Sequence, residues 1–600
     1  GVGLAQITQP DYTRPGFRNH LQEIQDHVSW FRGKHNIKAG FHLTRVAWDS
    51  LSANPNLFGS VTFSNRFTSG GLANQGHPYA DFLLGIPSSS ARAFPPVEVN
   101  RFRWQYDFFL TDDFKVSPKL TLNLGVRYEL HQPWSEANQL TSMFDIGSGR
   151  IVVEDGAMSK VSPLLPRDYV DVVEAREAGL PGRTLIRTDR NNFAPRIGVA
   201  YRPWGSQTVF RAGYGLFYDV VPRNLNQGGI PFVLNEPSFT NPAGDPQVVF
   251  PRVFPEGGIS GPATVGLPAA VNPDLKIPYS MQYNATIEHQ VWRTGFRLSY
   301  VGTNTRQGDY NYDYNAPIPD TRPYVDKPRP FPQYPGISYY TNGAGHQYHS
   351  LTAEAERHLA NGLYLQSSWT WARDIFDLNR GQSPENPFNR ERERGVSPDI
   401  PTHRFTTNFL YQLPFGRGRP FLSGSGWLNL LVGGWEISGI FSLHSGQFLT
   451  PLWSGPDPTG TEFSNSRTPA VVEIRPDHLR NANLPADQRS VNGWFDAGAF
   501  AAPQPGQFGT SAKGVIKGPG VNVWHMGFFK EFMFSEDGPR LRWELTATNF
   551  FNHPNWSNPE VNITQTANVG VISGVGGVNG ASTGDQPGAR AFRMGLRFEW

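Results

Sequence analysis

Few residues of this chain have the types and the spacing that a reaction or a bound metal ion requires. The nearest candidate is His346-Gln347-Tyr348-His349, in which two histidines lie three residues apart. In a strand that spacing puts the two rings on opposite faces, so they cannot chelate one ion. The sequence therefore favours a plain loop-to-strand junction here over a metal site.

Two other segments carry weaker signals. The run Arg390-Glu391-Arg392-Glu393-Arg394 could contact a substrate, but a solvated loop segment is the favoured interpretation. The glycine-rich segment Gly574-Val575-Gly576-Gly577-Val578-Asn579-Gly580 lacks the strand-then-helix context of a dinucleotide site. It is more typical of a flexible external loop.

Motifs of other chemistries are absent from the sequence. It contains no His-Glu-x-x-His zinc motif, no phosphate-binding glycine loop and no nucleophile elbow. Because the chain has no cysteine, disulfides, thiolate metal sites and a Cys nucleophile are excluded. The formal net charge of +2 argues against a nucleic-acid partner. The sequence thus predicts a non-enzyme with no catalytic, cofactor-binding or metal-ligating residues and no cofactor; substrate-binding residues stay unknown.

The C-terminal segment Ala591–Trp600 gives the strongest structural signal. Phe592, Met594, Leu596, Phe598 and Trp600 alternate with Arg593, Gly595, Arg597 and Glu599. Side chains of a strand alternate between its faces, so this is a strand with one apolar and one polar face. A strand of about ten residues that ends on an aromatic ring suits a transmembrane β-barrel, whose apolar side faces lipid.

Composition supports an all-β membrane protein. Aromatic residues make up 13% of the chain, with 63 Gly and 51 Pro, which favours strands and turns over helices. Mean hydropathy is −0.43, and no apolar run approaches the roughly 18 residues of a membrane helix. We find no interdomain linker. Gly1–Pro10 does not resemble a signal peptide, so we expect the chain to begin inside a longer precursor.

Period-two strands occur in pairs joined by short turns. The clear strands are Arg103–Phe114, Lys119–Leu130, Phe193–Arg202, Thr208–Tyr218, Tyr279–Val291, Gly295–Val301, His349–Leu359, Gly362–Trp371, Val523–Phe534, Leu541–Phe550 and Ala591–Trp600. Weaker patterns predict Asn19–Trp30, His35–Trp48, Leu57–Arg66, a short strand near Ser88, His403–Leu413 and Gly433–Leu443. The count is about seventeen.

Long polar segments separate the hairpins: His131–Asn192, Val220–Pro278, Asn304–Tyr348, Asp374–Thr402, Gly446–Asn522 and Asn552–Arg590. Alternation of short turns with long loops is typical of outer-membrane barrels, with turns in the periplasm and loops outside. Bacterial single-chain barrels have an even number of strands. The odd count therefore predicts that at least one N-terminal strand is missing.

The same patterns assign faces to several side chains. Arg127, Arg196, Arg211 and Arg297 fall on inward faces, where they could line a solute path. The favoured interpretation is that they satisfy polar neighbours and hydrate the wall. Five tryptophans are predicted to anchor the barrel at the headgroup layer, with packed loop positions as the alternative: Trp30, Trp104, Trp371, Trp435 and Trp600.

Several ordered runs resemble a known family. They are Tyr79–Pro87, Phe109–Glu129, Asn192–Gly198, Arg211–Asp219, Pro278–Ser280, Tyr348–Leu351, Gly433-Gly434-Trp435 with Ser445-Gly446, and Asn549–Pro554. Together they are similar to the barrel of the Oar-like TonB-dependent receptors, from about His35 to Trp600. One departure is that the family has Asp three residues before its His-Arg pair, whereas here His403-Arg404 follows Ile400, with Asp399 one place earlier. No role is carried over to that carboxylate.

The resemblance implies a fold and a set of partners. It implies a transmembrane antiparallel up-and-down β-barrel of 22 strands, about seventeen of them in this chain. A signal peptide, a carboxypeptidase-regulatory-like domain and a plug with the TonB box would precede it. The implied partners are outer-membrane lipid, the TonB complex through the plug, the barrel-assembly machinery through the strand that ends in Trp600, and a surface lipoprotein. The implied location is the outer membrane of a Gram-negative bacterium.

Several functions remain open at this point. The favoured one is energy-coupled uptake of an unidentified nutrient. The alternatives are an Oar-like barrel in protein secretion or surface adhesion, a plugless passive channel, and a soluble β-rich binding protein such as a propeller or lectin. A propeller should repeat every 40 to 45 residues or so, and no such repeat is visible.

Overall fold

Fifteen long strands form a continuous wall in the computed structural model. The structure describes residues 18–51, 59–72, 75–94, 97–166, 168–220, 226–255, 265–379, 381–416, 418–422, 427–462, 472–533, 538–575 and 589–600. The wall strands are β1 (Arg18–Arg32), β2 (His35–Leu51), β3 (Glu98–Ser117), β4 (Leu120–His131), β5 (Phe193–Tyr201), β6 (Thr208–Tyr218), β7 (Tyr279–Val291), β8 (Thr294–Asp313), β9 (Ser338–Ala360), β10 (Leu363–Phe376), β11 (His403–Gln412), β12 (Trp435–His444), β13 (Val521–Met533), β14 (Arg540–Thr548) and β15 (Ala591–Glu599). Each pairs antiparallel with the next. The predicted up-and-down antiparallel wall is confirmed.

The wall has one apolar and one polar face, as the sequence alternation predicts. On β4, Leu124 and Val126 are each 41% exposed, whereas Glu129 and His131 on the other face are buried. The register carries the same alternation across neighbouring strands, since Leu110 of β3 lies opposite Val126 and Asp107 lies opposite Glu129. Exposed leucines and valines on a sheet surface have no core to cover them, which is the pattern of a wall whose outer face meets lipid.

Tight turns fix the register of the hairpins. Between β9 and β10, Asn361 and Gly362 both have positive φ, 54° and 80°, as a two-residue hairpin turn requires. A Cβ on Gly362 would lie 2.8 Å from the backbone oxygen of Gln412 on the neighbouring strand. Glycine is therefore needed here for its conformation and for space.

Two of the predicted wall strands were placed wrongly. Leu57 and Phe58 of the predicted Leu57–Arg66 strand lie outside the described residues. Within the rest of that prediction only Ser60–Thr62 is a strand, and the strand predicted near Ser88 is Ser89–Ala91. These two pair with each other in a separate three-stranded sheet with Phe239–Thr240. The described wall therefore has fifteen strands, not seventeen. Segments of three residues cannot cross a bilayer, which takes about nine to eleven.

One hairpin is much longer than its sequence pattern predicts. The predicted strand Gly295–Val301 continues in β8 to Asp313, and β9 begins at Ser338 rather than at His349. The two strands stay paired through Asp313 and Ser338, with register shifts on either side of Gly308. Because the extension alternates tyrosine with asparagine and aspartate, it has no apolar face to signal a strand.

The long connections, which the sequence shows only as polar segments, are folded and contain apolar clusters. Their largest apolar cluster includes the fully buried Phe144, Ile151, Val153 and Phe232. A second cluster is built around Met143, Val152 and Leu185, and a third around Phe495, Phe500 and Ile516. We call these packed connections the loop cap. Burial of such side chains contributes roughly 1.5–3 kcal/mol each, so the cap has cores of its own.

Short elements make up the rest of the described chain. Two helices, α1 (Pro78–Leu83) and α2 (Trp427–Val432), and five 3-10 turns are present. The 3-10 turns are Met158–Lys160, Tyr324–Asp326, Arg390–Glu393, Ala486–Gln488 and Ala497–Ala499. The remaining short strands are Ala93–Phe94, Ser135–Glu136, Thr141–Asp145, Arg150–Val153, Val172–Glu174, Asn226–Gln227, Leu234–Asn235, Ala270–Val271, Gly395–Val396, Phe448–Leu449, Trp453–Gly455, Val472–Ile474, Asp477–His478, Phe500–Ala501 and Ile516–Lys517. No helix among the described residues has the length and hydropathy to cross a membrane.

The two outermost strands of the wall do not pair with each other. Within the described residues, β1 pairs only with β2, and β15 pairs only with β14. All nine residues of β15 are exposed. Within the described residues, the strand that ends at Glu599 and the strand that begins at Arg18 are therefore two separate edges of the wall.

Candidate functional site

Strands β2, β3 and β4 bring a group of charged side chains together on the polar face. Asp107 of β3 lies opposite Glu129 of β4 and opposite His42 of β2 in the strand register. Period-two alternation places Arg127 and His131 on the same face as Glu129. We call Asp107, Arg127, Glu129 and His131 the polar-face cluster.

The polar-face cluster is internally paired, and its two carboxylates and its histidine are buried. The Arg127 guanidinium donates through Nη2 to Asp107 at 2.8 Å, and its Nε lies 3.0 Å from a Glu129 oxygen. Nε2 of His131 lies 3.1 Å from the other Asp107 oxygen. Asp107, Glu129 and His131 are 5%, 8% and 7% exposed. Because a buried charge is costly unless it is paired, these contacts fix each side chain in place.

The two carboxylates and the histidine of the polar-face cluster have the side-chain types that can bind a metal ion. One ligand atom from each of Asp107, Glu129 and His131 lies within 4.8 Å of the others, which no other group in the described part of the chain achieves. The cationic Arg127 already occupies both carboxylates, so a divalent cation between them would meet a like charge. The arrangement therefore fits an ionic network rather than a metal centre. The sequence did not predict the cluster because its members come from two strands.

The predicted inward arginines all lie on the polar face. Besides Arg127, Arg211 of β6 lies 3.5 Å from Glu288 of β7, and Arg297 of β8 lies 3.0 Å from Glu288. Arg297 also pairs with Glu354 of β9 at 2.9 Å. These residues form a ladder of alternating charges across four strands, β6 to β9.

Arg196 of β5 lies on the same face but outside this ladder of charges. Its guanidinium lies over the Phe217 ring, 4.6 Å from the centroid. Arg127, Arg211 and Arg297 therefore contact polar neighbours on the same wall, as their favoured interpretation predicts, whereas Arg196 contacts an aromatic ring.

The two histidines of the predicted junction lie inside β9 instead. His346 bonds to Asp374 of β10, whereas the Nδ1 of His349 lies 2.8 Å from the Tyr300 hydroxyl on the opposite face. The prediction that they face opposite sides is confirmed, so they do not form one site. The location was wrong because β9 starts eleven residues before the predicted strand.

The run Arg390–Arg394 is only partly the solvated segment that the sequence favours, because Glu391 and Arg394 are exposed but Glu393 is buried. Glu393 is 3% exposed and accepts from Arg475 Nη2 at 2.9 Å, while Lys513 Nζ lies 2.8 Å from its other oxygen. Arg475 also donates to Glu385 at 2.5 Å. Burial raises the pKa of Glu385 above its ordinary value. This network, which we call the loop clasp, joins two long connections, so the run has a structural contact that local sequence does not reveal.

A buried lysine makes a second link between connections. The Lys327 side chain is fully buried, and its ammonium donates to the backbone oxygens of Ile318, Asp320 and Thr459 at 3.1, 2.9 and 2.8 Å. An Asp320 carboxylate oxygen lies 2.7 Å away. Four acceptors satisfy an ammonium group that has only three hydrogens. No sequence signal marks this lysine, because its acceptors are mostly backbone atoms.

The five predicted anchor tryptophans have different environments. Trp30 and Trp104 lie on wall strands and are 53% and 36% exposed, whereas Trp600 directly follows β15 and is 96% exposed. Trp371 of β10 is partly buried. Trp435 packs edge-on against Trp543 and donates to the backbone oxygen of Leu431 in α2 at 2.8 Å.

Two exposed tryptophans in the short turns, Trp204 at 68% and Trp292 at 89%, were not predicted as anchors. Of the glycine-rich segment, only Gly574 and Val575 lie inside the described residues.

Comparisons with known proteins agree with the fold. Residues 2–590 match the family model described as outer membrane beta barrel domain. No curated protein matches the chain.

Solved structures that the chain resembles include the outer membrane transporter YddB from Escherichia coli, at 9% identity and a TM-score of 0.44, with 96% of this chain and 53% of that chain covered. They also include FpvA of P. aeruginosa bound to heterologous pyoverdines, at 11% identity, TM-score 0.39 and coverage of 96% and 48%. The iron transporter FrpB from Neisseria meningitidis matches at 12% identity, TM-score 0.37 and coverage of 96% and 55%. The chain spans about half the length of these proteins.

The family match decides the class of the protein. It covers nearly the whole chain, and it describes a membrane barrel rather than an enzyme. The apolar outer face, the polar inner face and the alternation of short turns with long loops belong to that architecture. The short turns are therefore periplasmic and the loop cap extracellular. The chain belongs to the outer membrane beta barrel domain family, in the outer membrane of a Gram-negative bacterium.

Proposed function

We propose that the chain forms the barrel wall of an outer-membrane receptor that takes up a solute, with energy supplied through the TonB complex. The observation that carries the proposal is the charged inner face, where Arg211, Glu288, Arg297 and Glu354 form a ladder across four strands. Each of these side chains is partly exposed, so the face is hydrated. A hydrated, charged lumen suits passage of a polar solute.

The unpaired edges of the wall support a larger protein. A strand edge in lipid leaves backbone N–H and C=O groups unsatisfied at several kcal/mol each, and β1 and β15 each have one such edge among the described residues. We propose that further N-terminal strands complete a 22-stranded barrel. In this proposal the rest of the protein also supplies the signal peptide, the carboxypeptidase-regulatory-like domain and the plug with its TonB box, as the Oar-like resemblance implies.

The partners follow from this organisation. The apolar face binds outer-membrane lipid, and the plug binds the TonB complex. The assembly machinery engages β15 with its terminal Trp600, and a surface lipoprotein contacts the loop cap.

A second candidate is surface adhesion or secretion. The loop cap favours it, because its buried clusters make a folded extracellular surface that could bind another cell or protein. A plugless passive channel is the third alternative.

The experiment compares three strains of the native host: wild type, a deletion of the gene for the full-length protein, and a tonB deletion. Each strain grows in one complex medium, and mass spectrometry follows depletion of medium solutes, with and without a proton uncoupler. The proposal expects at least one solute that only the wild type depletes, and only without uncoupler. Depletion that survives the tonB deletion refutes energy coupling and favours a passive channel. Equal depletion in all strains, with loss of attachment or of a secreted protein in the deletion, favours the second candidate.

A further inference from the structure

The lipid-facing side of the wall contains a concavity of about 840 Å³. Its floor is formed by Ala212 of β6 and Ala285 of β7, which lie opposite each other in the register. Tyr201, Phe210, Ile287 and Leu298 surround that floor. Arg211 and Thr286 also border the concavity, although the register puts them on the opposite face of the wall. We call this concavity the wall groove.

The wall groove has the properties of a binding site for an apolar ligand. Its volume lies in the roughly 300–1,000 Å³ range of ligand pockets, and such pockets are mostly lined by apolar and aromatic side chains. It arises because two adjacent alanines lie among large side chains, so the outer surface is indented at their position. The concavity is an open depression of the apolar surface, so a ligand in it would stay in contact with the surrounding lipid.

The wall groove lies at the periplasmic end of the wall. Leu120, which also lines it, is the first residue of β4, and Tyr201 is the last residue of β5. Both border short turns, and short turns of outer-membrane barrels are periplasmic. The groove therefore opens into the inner leaflet of the outer membrane, where the lipids are phospholipids.

Three cationic side chains lie in the short turns at that end of the wall. Lys119 and Arg202 occupy adjacent turns, joined by a bond from the Arg202 backbone N–H to the Lys119 oxygen at 2.8 Å. Arg293 occupies the turn between β7 and β8, and all three are exposed. A cation at the membrane surface attracts an anionic headgroup.

Exposed aromatic side chains lie in the same short turns as these cations. Trp204 and Trp292 project from these turns, 68% and 89% exposed. The Trp204 ring also packs against Phe210, at 6.1 Å between centroids, which connects the turn to the groove lining. Exposed tryptophan belongs at the headgroup layer, so phosphate groups lie at the height of the three cations.

We propose that the wall groove is a specific phospholipid-binding site. An acyl chain occupies the groove over Ala212 and Ala285, and the lipid phosphate pairs with Lys119, Arg202 and Arg293. The proposal is independent of any transported solute. It distinguishes one retained lipid from the exchangeable lipid that covers the rest of the apolar face.

The test uses the full-length protein purified from outer membranes in mild detergent. Native mass spectrometry measures retention of added phosphatidylethanolamine, phosphatidylglycerol or lipid A. The variant Ala212→Trp fills the groove; its matched control is Ala39→Trp, an exposed lipid-facing alanine on β2. Ala285→Leu is a second, smaller filling variant. Heat-modifiable migration on SDS gels shows that each variant is folded.

We expect wild type and Ala39→Trp to retain one phospholipid, and Ala212→Trp to retain at least about tenfold less. Changing Lys119, Arg202 and Arg293 to Gln one at a time should weaken retention roughly fivefold per cation. The change Arg540→Gln, at the periplasmic end of β14, should have no effect. Equal retention by wild type and both groove variants would overturn the proposal, and so would preferential retention of lipid A over both phospholipids.

Discussion

The carboxyl group of Glu154 should make the loop cap sensitive to pH. Glu154 is 1% exposed, and its Oε1 accepts from the backbone N–H of Thr141 at 3.2 Å. Its Oε2 is buried and has no hydrogen-bond partner. Burial raises the pKa of Glu154 to about 7, and the nearby Glu136 carboxylate adds to the rise.

The sign of the effect follows from proton binding. Below about pH 4.5 the carboxyl is protonated in the folded and unfolded states alike, so burial carries no ionisation penalty. Between about pH 4.5 and 7 the unfolded state loses its proton while the folded state keeps it, and stability falls as pH rises. Above about pH 7 the carboxyl is ionised in both states, so the destabilisation no longer grows with pH. A pKa shift from 4.5 to about 7 lowers the unfolding free energy by at most roughly 3 kcal/mol.

The change Glu154→Gln should remove this penalty. A glutamine keeps the oxygen that accepts from Thr141, and it is neutral at every pH, like the protonated acid. Hydrogen exchange of backbone amides in residues 139–156, with the protein in lipid nanodiscs, measures the local opening free energy at pH 5 and pH 8. Wild type should open more easily at pH 8 by up to roughly 3 kcal/mol, whereas Glu154→Gln should show a much smaller difference. Glu136, whose pKa is also raised by burial, leaves a residual effect of the same sign.

The matched control is Glu177→Gln in the same connection. Glu177 pairs with Arg150 at 2.8 Å, but its side chain is 60% exposed, so its loss should change stability by less than about 1 kcal/mol. The reasoning fails if wild type and Glu154→Gln lose the same stability between pH 5 and pH 8. It also fails if Glu177→Gln abolishes the difference equally well.

Three further perturbations test other parts of the fold. Arg475→Ala leaves Glu385 and Glu393 buried without their shared partner, so hydrogen exchange in residues 385–396 should show a loss of roughly 3–5 kcal/mol; a loss below about 1 kcal/mol would contradict the loop clasp. Trp600→Asp places a charge at the terminal aromatic position and should reduce the heat-modifiable protein recovered from outer membranes, whereas normal recovery would refute a role for Trp600 in assembly. Gly362→Ala should lower stability in urea by roughly 1–3 kcal/mol more than Gly33→Ala. Both glycines have positive φ, but a Cβ at Gly33 meets no atom within 4 Å, so equal losses would show that the contact with Gln412 is unimportant.

Strand prediction succeeded where one face of the strand meets lipid. The pattern at Lys119–Leu130 corresponds to β4, and the pattern at Val523–Phe534 corresponds to β13. Prediction failed where that constraint ends. The parts of β8 after Val301 and of β9 before His349 are polar on both faces. Their sequences therefore lack the alternation of apolar and polar residues that would predict a strand.

Contacts between distant connections were not predictable. The loop clasp joins Glu393 to Arg475, 82 residues away, and Lys327 bonds to Thr459 across 132 residues. Alternating charges at Arg390–Arg394 predict solvation when only neighbours in sequence are considered. The partner that buries Glu393 lies on another connection, so its burial depends on how the two connections pack.

The sequence by itself determined the class of the protein, the faces of its strands and the inward placement of its arginines. These properties depend on a local rule, because each residue of a membrane strand must face either lipid or the interior. Only the tertiary structure decided the strand count, the polar-face cluster, the loop clasp and the wall groove. Each of these is set by which strands or connections become neighbours, and that depends on register and packing over tens to hundreds of residues.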